Sequence, residues 1–279
     1  MEPKILKGAD VAKAINEEVI NGVKALGRSP RLAIVRVGER PDDLAYERGI
    51  IKKTEKLGME FEQFVFKEDI TNESFLKEFD RINADERIDG ILLFRPLPKH
   101  IDSSEAERRI DPKKDLDGIS PINMAKVYSG DESGFAPCTA QAVIEALKYE
   151  NIELAGKNVT VIGRSLVIGK PVAMLLIKEN ATVTVCHTKT KDLAEKCRNA
   201  DIIVAAAGKA RMVGEDFVSE GQIVADVGIN VDSEGNMCGD VDFDKVVGKT
   251  ALITPVPGGI GSITTSVLMQ HLLMAASNQ

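Results

Sequence analysis

A glycine-rich turn at residues 163–171, Gly-Arg-Ser-Leu-Val-Ile-Gly-Lys-Pro, carries the clearest chemical signal in the sequence. It follows the apolar run 157–162 and resembles G-x-G-x-x-G, with Ser165 at the second glycine position and a wider spacing. Gly163 permits a tight turn, Ser165 can hydrogen-bond a phosphate, and Gly169 lets the free N–H groups of a helix face an anion. The turn indicates a dinucleotide site, with a glycine turn kept for steric reasons as the alternative.

Two features beside this turn favour a cofactor that carries a 2′-phosphate. Arg164 can pair bidentately with phosphate, although a solvated surface arginine is the alternative. The run Cys-His-Thr-Lys-Thr at 186–190 closes the next predicted strand, where a Rossmann-like fold presents the residues that distinguish NAD from NADP. It offers Thr188 and Lys189 but no Asp or Glu to bind a ribose diol, which favours NADP over NAD.

Two more loops could contact a ligand. Thr-Pro-Val-Pro-Gly-Gly-Ile-Gly at 254–261 combines prolines that fix φ with glycines that lack side chains, which suits a loop against a ligand or a tight turn between domains. Asp-Val-Gly-Ile-Asn at 226–230 ends a strand and could pass its backbone along a nicotinamide, or form a plain turn. Asp117, in the charged loop 111–118, is on its own predicted to be solvated.

Alternating strands and helices must position these loops. The helices predicted from apolar spacing cover residues 9–26, 41–57, 72–83, 103–110, 139–149, 169–178 and 193–199. The predicted strands cover residues 31–38, 61–66, 90–94, 157–162, 182–186, 201–207, 222–227 and 250–253. Asp10 and Asp42 or Asp43 are the predicted N-caps of the first two helices. Strands separated by short helices predict a doubly wound parallel α/β sheet, with ligands at the carboxyl ends of its strands.

The composition is that of a globular protein whose main partner is a small molecule. Its 279 residues suggest two domains with a cleft between them. A net charge of −7, without a cluster of Lys or Arg among aromatics, argues against nucleic acid or an anionic membrane as the main partner. The first residues form no apolar signal region, and no run approaches the ~18 residues that span a bilayer. We therefore expect a cytoplasmic protein.

The cysteines and histidines do not predict a metal centre. The four cysteines include no C-x-x-C pair, so neither a zinc site nor a disulfide framework is indicated, and we expect reduced thiols. The three histidines, His100, His187 and His271, lie far apart in the sequence. The expected cofactor is therefore a nucleotide alone.

Seven segments, taken in order, resemble the methylenetetrahydrofolate dehydrogenase/cyclohydrolase family over essentially the whole chain. They are VGERPDDLAY, DGILLFRPLP, KKDLDG, GRSLVIGKP, CHTKTKDL, DVGIN and TPVPGGIGSIT. The resemblance implies that residues 1–138, with a C-terminal helix at 262–279, form a folate-binding domain, and that residues 139–261 form a Rossmann-like NAD(P)-binding domain. It also implies folate in the cleft between the domains, and a homodimer.

The resemblance implies oxidation of 5,10-methylenetetrahydrofolate by hydride transfer to NADP, a step that depends on positioning more than on an acid or a base. In the family this step is often followed by hydrolysis of the methenyl cation to 10-formyltetrahydrofolate. By resemblance, Tyr46 packs on the aminobenzoyl ring and Asp117 accepts hydrogen bonds from the pterin N–H groups. The other implied folate residues are Pro257, Gly258, Gly259, Ile260 and Gly261, and the implied cofactor residues are Gly163, Arg164, Ser165, Thr188 and Ile229.

Three positions depart from the family pattern. Bifunctional members read Y-x-x-x-K after the tyrosine, and the glutamine of V-Q-L-P-L-P holds this lysine, which activates water. Here Ile50 occupies the lysine position and Phe94 the glutamine position. Loss of a general acid or base costs about 10²–10⁴ in rate, so we expect the hydrolytic step to be lost. Lys52 and Lys53 lie about 200° and 300° round the helix from Ile50, and neither is expected to inherit the role. Ser262 replaces a proline, which loosens the glycine loop.

Three functions stay open at this point. The first is an NADP-dependent methylenetetrahydrofolate dehydrogenase with little or no cyclohydrolase activity. The second is a bifunctional enzyme that activates water in another way. The third, from a different class, is a folate or nucleotide binder without catalysis. The intact turn at 163–171 argues against the third, because a pure binder needs no hydride acceptor.

Overall fold

The computed structural model describes residues 2–278, and their contacts divide them into two units. The first unit contains residues 2–13 and 137–264, and the second unit contains residues 14–136 and 265–278. The family resemblance assigned the start of the chain to the folate domain, whereas the structure groups residues 2–13 with the first unit. The physical reason is a short strand in this segment, which pairs in parallel with a strand of the first unit.

Strands and helices alternate through most of the chain. The strands are β1 (Lys4–Ile5), β2 (Arg31–Val37), β3 (Glu60–Phe66), β4 (Gly90–Leu93), β5 (Asn158–Ile162), β6 (Thr182–Cys186), β7 (Ile202–Ala205), β8 (Gln222–Asp226), β9 (Asn230–Val231), β10 (Met237–Cys238) and β11 (Thr250–Ile253). The helices are α1 (Gly8–Leu26), α2 (Pro41–Lys56), α3 (Asn72–Ala84), α4 (Ser103–Arg109), α5 (Pro121–Ser129), α6 (Cys138–Tyr149), α7 (Gly169–Lys178), α8 (Leu193–Arg198), α9 (Phe243–Val246) and α10 (Gly261–Ser277). The boundaries between the two units fall inside α1 and α10 and just before α6.

The first unit is built on a parallel sheet in the order β1-β11-β8-β7-β5-β6. Strand β5 pairs with β6 on one side and with β7 on the other, so the direction of winding reverses there. The carboxyl ends of strands at such a switch point are where ligands bind in open α/β sheets. Buried residues of the strands, among them Ile162, Ile203 and Val224, form the core of this unit. The doubly wound parallel α/β fold is therefore confirmed.

The second unit has its own parallel sheet, with β2 between β3 and β4. Alternate residues of β2 and β4, including Val35 and Leu93, join Phe75 and Phe79 of α3 in one buried cluster. The rings of Phe75 and Phe79 are stacked, with centroids 5.8 Å apart. Because successive strand residues point to opposite faces, Arg36 points away from this cluster.

Several predicted element ends were wrong, and short elements were missed. Helix α1 begins at Gly8, so Asp10 lies in its first turn and is not the N-cap. Helix α2 begins at Pro41 after Arg40, because proline favours the first helical position and neither Asp42 nor Asp43 is needed as a cap. Helix α5 was not predicted because it buries Asn123 and no apolar stripe, and strands β9 and β10 were missed because two residues are too few to show a period.

In the part of the chain that the structure describes, no helix is long and apolar enough to cross a membrane. The same residues contain no group of three or more His, Cys, Asp or Glu side chains that could hold a metal ion. The four cysteines are buried and are not joined in disulfides.

Candidate functional site

The turn between β5 and α7 requires glycine at two of its predicted positions. A Cβ on Gly163, whose φ is 129°, would lie 2.1 Å from the carbonyl oxygen of Ala206. A Cβ on Gly169 would lie 2.2 Å from the carbonyl oxygen of Gly163. No side chain fits at these distances, so the backbone of the turn packs directly on itself and on the end of β7. Helix α7 therefore begins beside the carboxyl end of β5, where its free N–H groups can face an anion.

A cavity of about 250 Å³ lies beside this turn. Its lining includes Gly163, Arg164, Ser165, His187 and Thr188. Ser165 Oγ accepts the N–H of Ile168 at 3.1 Å, which leaves the hydroxyl proton available for donation to a phosphate. The structure thus brings together four of the residues predicted to bind the cofactor, whereas Ile229 lines a different cavity.

The turn after β6 completes this cavity and is held by its own hydrogen bonds. Thr190 Oγ1 accepts the N–H of His187 at 2.8 Å, and His187 Nδ1 accepts the N–H of Lys189 at 3.1 Å. Within residues 2–278, no carboxylate forms an ion pair with Arg164. An unpaired guanidinium beside the Thr188 hydroxyl is a donor set that suits the 2′-phosphate of NADP. The residues present therefore fit this cofactor.

A second cavity of the first unit, of about 240 Å³, is formed by the glycine loop. Its lining includes Ile229, Pro257, Gly258, Gly259, Gly261 and Ser262. Ile260 is fully buried and does not belong to this lining, although the resemblance assigned it to the folate site. Gly8 holds the loop, because its N–H donates to the Gly258 carbonyl oxygen at 2.8 Å, and a Cβ on Gly8 would lie 2.0 Å from the Gly259 carbonyl oxygen.

Two buried aspartates fix the loop that carries Ile229, and the sequence analysis missed their role. Asp226 accepts three backbone N–H groups at 3.0–3.1 Å, and Asp240 accepts three others from residues 207–209. Burial raises the pKa of Asp226 to about 7, against the opposing effect of these N–H donors. The glycines at 228 and 239 are the corresponding signal in the sequence, and the structure explains them, because a Cβ on Gly228 or Gly239 would collide with the carboxylate of Asp240 or Asp226, respectively.

In the second unit, Tyr46 on α2 packs against Phe94, which directly follows β4. The two ring centroids are 5.7 Å apart and the ring planes are inclined by 41°. The side chain of Tyr46 is 41% exposed, whereas Phe94 is buried and Ile50 is completely buried. The positions at which the family resemblance implies a lysine and a glutamine are thus occupied by buried apolar side chains. Neither side chain can transfer a proton.

Asp117 lies in a loop that is fixed from its buried side. Asp115 is buried and accepts the N–H groups of Ile119 and Ser120 at 3.0 and 2.8 Å. The neighbouring Asp117 stays partly exposed, with its Oδ2 3.7 Å from Nη2 of Arg95. The sequence indicated Asp117 only through the family resemblance, because several carboxylates in this loop look alike until their burial is known.

His271 of α10 holds the same loop. Its Nδ1 lies 2.8 Å from the carbonyl oxygen of Leu116, the residue before Asp117. Complete burial lowers the pKa of His271 to about 4, so the imidazole is neutral near pH 7 and its Nδ1–H is the donor. Its ring also packs against Phe135, with centroids 5.2 Å apart. The sequence analysis gave this histidine no role, because 154 residues separate it from Asp117 in the sequence.

Lys53 lies on α2, one turn beyond Ile50 and two turns beyond Tyr46. Its Nζ donates to Oγ of Ser266 on α10 at 2.7 Å. Burial, together with the charge of Lys56, lowers the pKa of Lys53 to about 8. Side chains on a helix lean toward its N-terminus, which for Lys53 is the direction of Tyr46. Its amine is therefore partly deprotonated at slightly alkaline pH, at a position that the sequence had set aside.

Two models of one protein family match the chain. The catalytic-domain model of tetrahydrofolate dehydrogenase/cyclohydrolase matches residues 6–117, and the NAD(P)-binding-domain model of the same family matches residues 137–279. The chain is also 52% identical over 279 residues to the bifunctional protein FolD of Clostridioides difficile, covering 99% of this chain and 97% of that protein.

Two solved structures have the same fold over nearly the whole chain. The bifunctional enzyme FolD of Campylobacter jejuni, a methylenetetrahydrofolate dehydrogenase/cyclohydrolase, is 39% identical with a TM-score of 0.96, and 99% of each chain is covered. The methylenetetrahydrofolate dehydrogenase-cyclohydrolase of Trypanosoma brucei, solved with NADP and an inhibitor, is 36% identical with a TM-score of 0.92, covering 100% of this chain and 98% of that one.

Proposed function

Because this chain belongs to the tetrahydrofolate dehydrogenase/cyclohydrolase family, we propose that it is an NADP-dependent 5,10-methylenetetrahydrofolate dehydrogenase. One observation carries the proposal: Arg164, Ser165 and Thr188 line one cavity at the switch point of the parallel sheet, beside the N-terminus of α7. This is the donor set and the location that a dinucleotide with a 2′-phosphate requires.

On the cofactor side, the first turn of α7 and Ser165 would bind the pyrophosphate, and Arg164 with Thr188 would bind the 2′-phosphate. The backbone at Ile229 would lie along the nicotinamide, because Asp226 and Asp240 fix the loop that contains this residue. Bound NADP supplies the hydride acceptor. The chain positions the two reactants. Holding the two reacting carbons near attack distance removes the entropic cost of an unfavourable bimolecular encounter.

On the folate side, we propose the roles that the family resemblance implies. The ring of Tyr46, supported by Phe94, would pack on the aminobenzoyl ring. The carboxylate of Asp117 would accept hydrogen bonds from pterin N–H groups, since its loop is held in place by Asp115 and His271. Residues 257–261 would contact the folate through backbone atoms, with Ile260 contributing its backbone only because its side chain is buried.

The dehydrogenase proposal is tested by incubating the protein with 5,10-methylenetetrahydrofolate and either NADP⁺ or NAD⁺. We expect reduced cofactor to appear in an amount equal to the sum of methenyltetrahydrofolate and 10-formyltetrahydrofolate, and faster with NADP⁺. A non-catalytic binder would bind folate or nucleotide without forming either product. Equal or faster reaction with NAD⁺ would contradict the role given to Arg164.

Hydrolysis of the methenyl product is a second candidate function, and the relatives favour it. The Clostridioides difficile protein is named bifunctional and the name of the Campylobacter jejuni enzyme includes both activities, whereas the sequence favoured loss of the second one. A bifunctional chain must use a group other than those at positions 50 and 94. We propose Lys53 for this role, since its lowered pKa lets the amine exchange protons near neutral pH.

The fate of the methenyl product separates these two functions. Methenyltetrahydrofolate is added to the protein without cofactor, and its loss is followed against a buffer blank. Hydrolysis above the blank that Lys53→Met abolishes, while the dehydrogenase rate persists, supports the bifunctional proposal. The exposed Lys52→Met is the matched control, as it removes the adjacent lysine. No hydrolysis above the blank supports the monofunctional alternative, in which Ile50 and Phe94 have replaced the hydrolytic pair.

We also propose that the first unit is the NAD(P)-binding domain, that the second unit is the folate-binding domain, and that the protein forms a homodimer. In support, β6 is an edge strand of its sheet, and it leaves Val185 39% exposed. A parallel edge strand with exposed apolar side chains can pair with a second copy. Light scattering on the purified protein tests this proposal, with twice the chain mass of 30.2 kDa as the expected result.

A further inference from the structure

Arg95 lies between two carboxylates of the second unit. Its Nη1 is 3.3 Å from Oε1 of Glu107, and its Nη2 is 3.7 Å from Oδ2 of Asp117. The three side chains have similar and limited exposures, of 26%, 26% and 29%.

The two contacts of this guanidinium differ in kind. The contact with Glu107 satisfies hydrogen-bond geometry and anchors one end of the group. The contact with Asp117 is too long for a hydrogen bond, so it is an electrostatic interaction that does not require an acceptor position of that carboxylate. Arg95 therefore places a positive charge beside Asp117 while its own hydrogen bond goes to Glu107.

We propose that Arg95 is a positioning residue that sets the affinity of the site for the pterin ring, an inference that rests on the proposed function. The nearby guanidinium attracts the Asp117 carboxylate and limits its rotamers. Glu107 keeps the guanidinium from closing onto Asp117 and competing with the pterin donors. Arg95, Glu107 and Asp117 together carry a net charge of −1, so these side chains do not repel a cationic methenyl product.

Two substitutions at position 95 test this inference. Arg95→Leu removes the charge, and we expect it to raise the KM for methylenetetrahydrofolate about three- to fivefold while kcat changes less. Arg95→Lys retains a charge and should recover most of the affinity. The Kd for NADP⁺ should stay unchanged in both variants, because the cofactor residues lie in the other unit.

A third variant tests the anchor and remains informative if Arg95→Leu fails to fold. Glu107→Gln leaves Arg95 in place but removes the charge that holds it, so the guanidinium should move onto Asp117. We expect Glu107→Gln to raise the folate KM as well, and Arg95→Leu combined with Glu107→Gln to be no worse than Arg95→Leu alone. Additive effects in this cycle would show that the two residues act separately.

The outcomes distinguish the possible failures. An unchanged folate KM in Arg95→Leu overturns the inference while leaving the dehydrogenase proposal intact. A rise in both the folate KM and the NADP⁺ Kd that Arg95→Lys does not reverse indicates general structural damage and also overturns it. If the unmodified protein neither oxidises methylenetetrahydrofolate nor binds tetrahydrofolate in a titration, the proposed function fails, and the inference fails with it.

Discussion

At the scale of single residues, the burial and the neighbours of a side chain decide its role more than its chemical type does. Asp115 and Asp117 are two residues apart in one charged loop, yet Asp115 is buried and accepts backbone N–H groups, whereas Asp117 is partly exposed. The first can therefore only shape the loop, and the second can meet a ligand. Arg95 adds a neighbouring charge, with its Nη2 3.7 Å from Oδ2 of Asp117.

Asp117→Asn should weaken folate binding and leave NADP⁺ binding nearly unchanged. The amide would present an N–H group toward one of the pterin donors, and an opposed or unpaired buried donor costs about 1–3 kcal/mol. Titration with tetrahydrofolate and, separately, with NADP⁺ measures the two affinities. Asp69→Asn, at an exposed position of the same unit, is the matched control. Unchanged folate affinity in Asp117→Asn would remove this residue from the site.

Arg164→Ala should reduce the preference for NADP⁺ over NAD⁺. The 2′-phosphate would lose a charge-assisted hydrogen bond, which is worth about 1.5–3 kcal/mol, whereas NAD⁺ has no group to lose it. The measurement is the ratio of kcat/KM for the two cofactors. Lys191→Ala removes an exposed charge outside the cavity lining and should leave the ratio unaltered. A ratio that stays the same in Arg164→Ala would assign the phosphate to other residues.

At the scale of elements, α10 and the loop before α5 depend on each other through one neutral histidine. His271 has a pKa of about 4 in the folded chain, against about 6.5 when unfolded. Between these values the unfolded chain binds more protons than the folded one. The free energy of unfolding therefore falls as the pH decreases from about 6.5 to about 4, and this contribution is complete above pH 6.5.

His271→Asn should remove this part of the pH dependence. An asparagine amide can still donate toward the Leu116 carbonyl oxygen but does not titrate, so the variant should be less stable at pH 7 yet lose less stability on acidification. The difference in slope should amount to on the order of 3 kcal/mol between pH 6.5 and 4. Denaturant unfolding of both proteins across this range measures it. Parallel pH profiles would show that His271 does not stay neutral in the folded chain.

At the scale of the whole molecule, each unit holds its own part of the chemistry. The cofactor cavity lies in the first unit. The second unit contains Tyr46, Phe94, Arg95 and Asp117. Each unit has a separate parallel sheet and a separate core. The binding of a ligand to one unit can therefore be measured by the change that it causes in the thermal stability of the protein.

NADP⁺ should raise the thermal stability of the protein more than NAD⁺ does at the same concentration. A ligand that binds only the folded state adds about 2.7 kcal/mol at one hundred times its Kd. Thermal unfolding with each nucleotide, in the unmodified protein and in Arg164→Ala, gives the shifts. The advantage of NADP⁺ should shrink in the variant. Equal shifts for both nucleotides in the unmodified protein would contradict the predicted cofactor preference.

The sequence by itself determined the fold class and the cofactor turn, because these depend on local chemistry. Apolar runs with the period of a strand or helix located most elements within a few residues of their observed ends. The glycines at 163 and 169 predicted a tight turn, and the structure leaves no room for a Cβ at either position. The family resemblance supplied Tyr46 and Asp117, which no local pattern distinguishes from other exposed residues.

Only the tertiary structure decided which polar groups work together. Asp226 with Asp240, His271 with the Asp117 loop, Lys53 with Ser266, and Arg95 between two carboxylates are contacts between residues distant in the sequence or on different elements. A side chain's pKa and its capacity to bind depend on burial and on neighbouring charges. Burial and neighbouring charges are set by packing, which brings together residues whose positions in the sequence do not indicate that they are close in space.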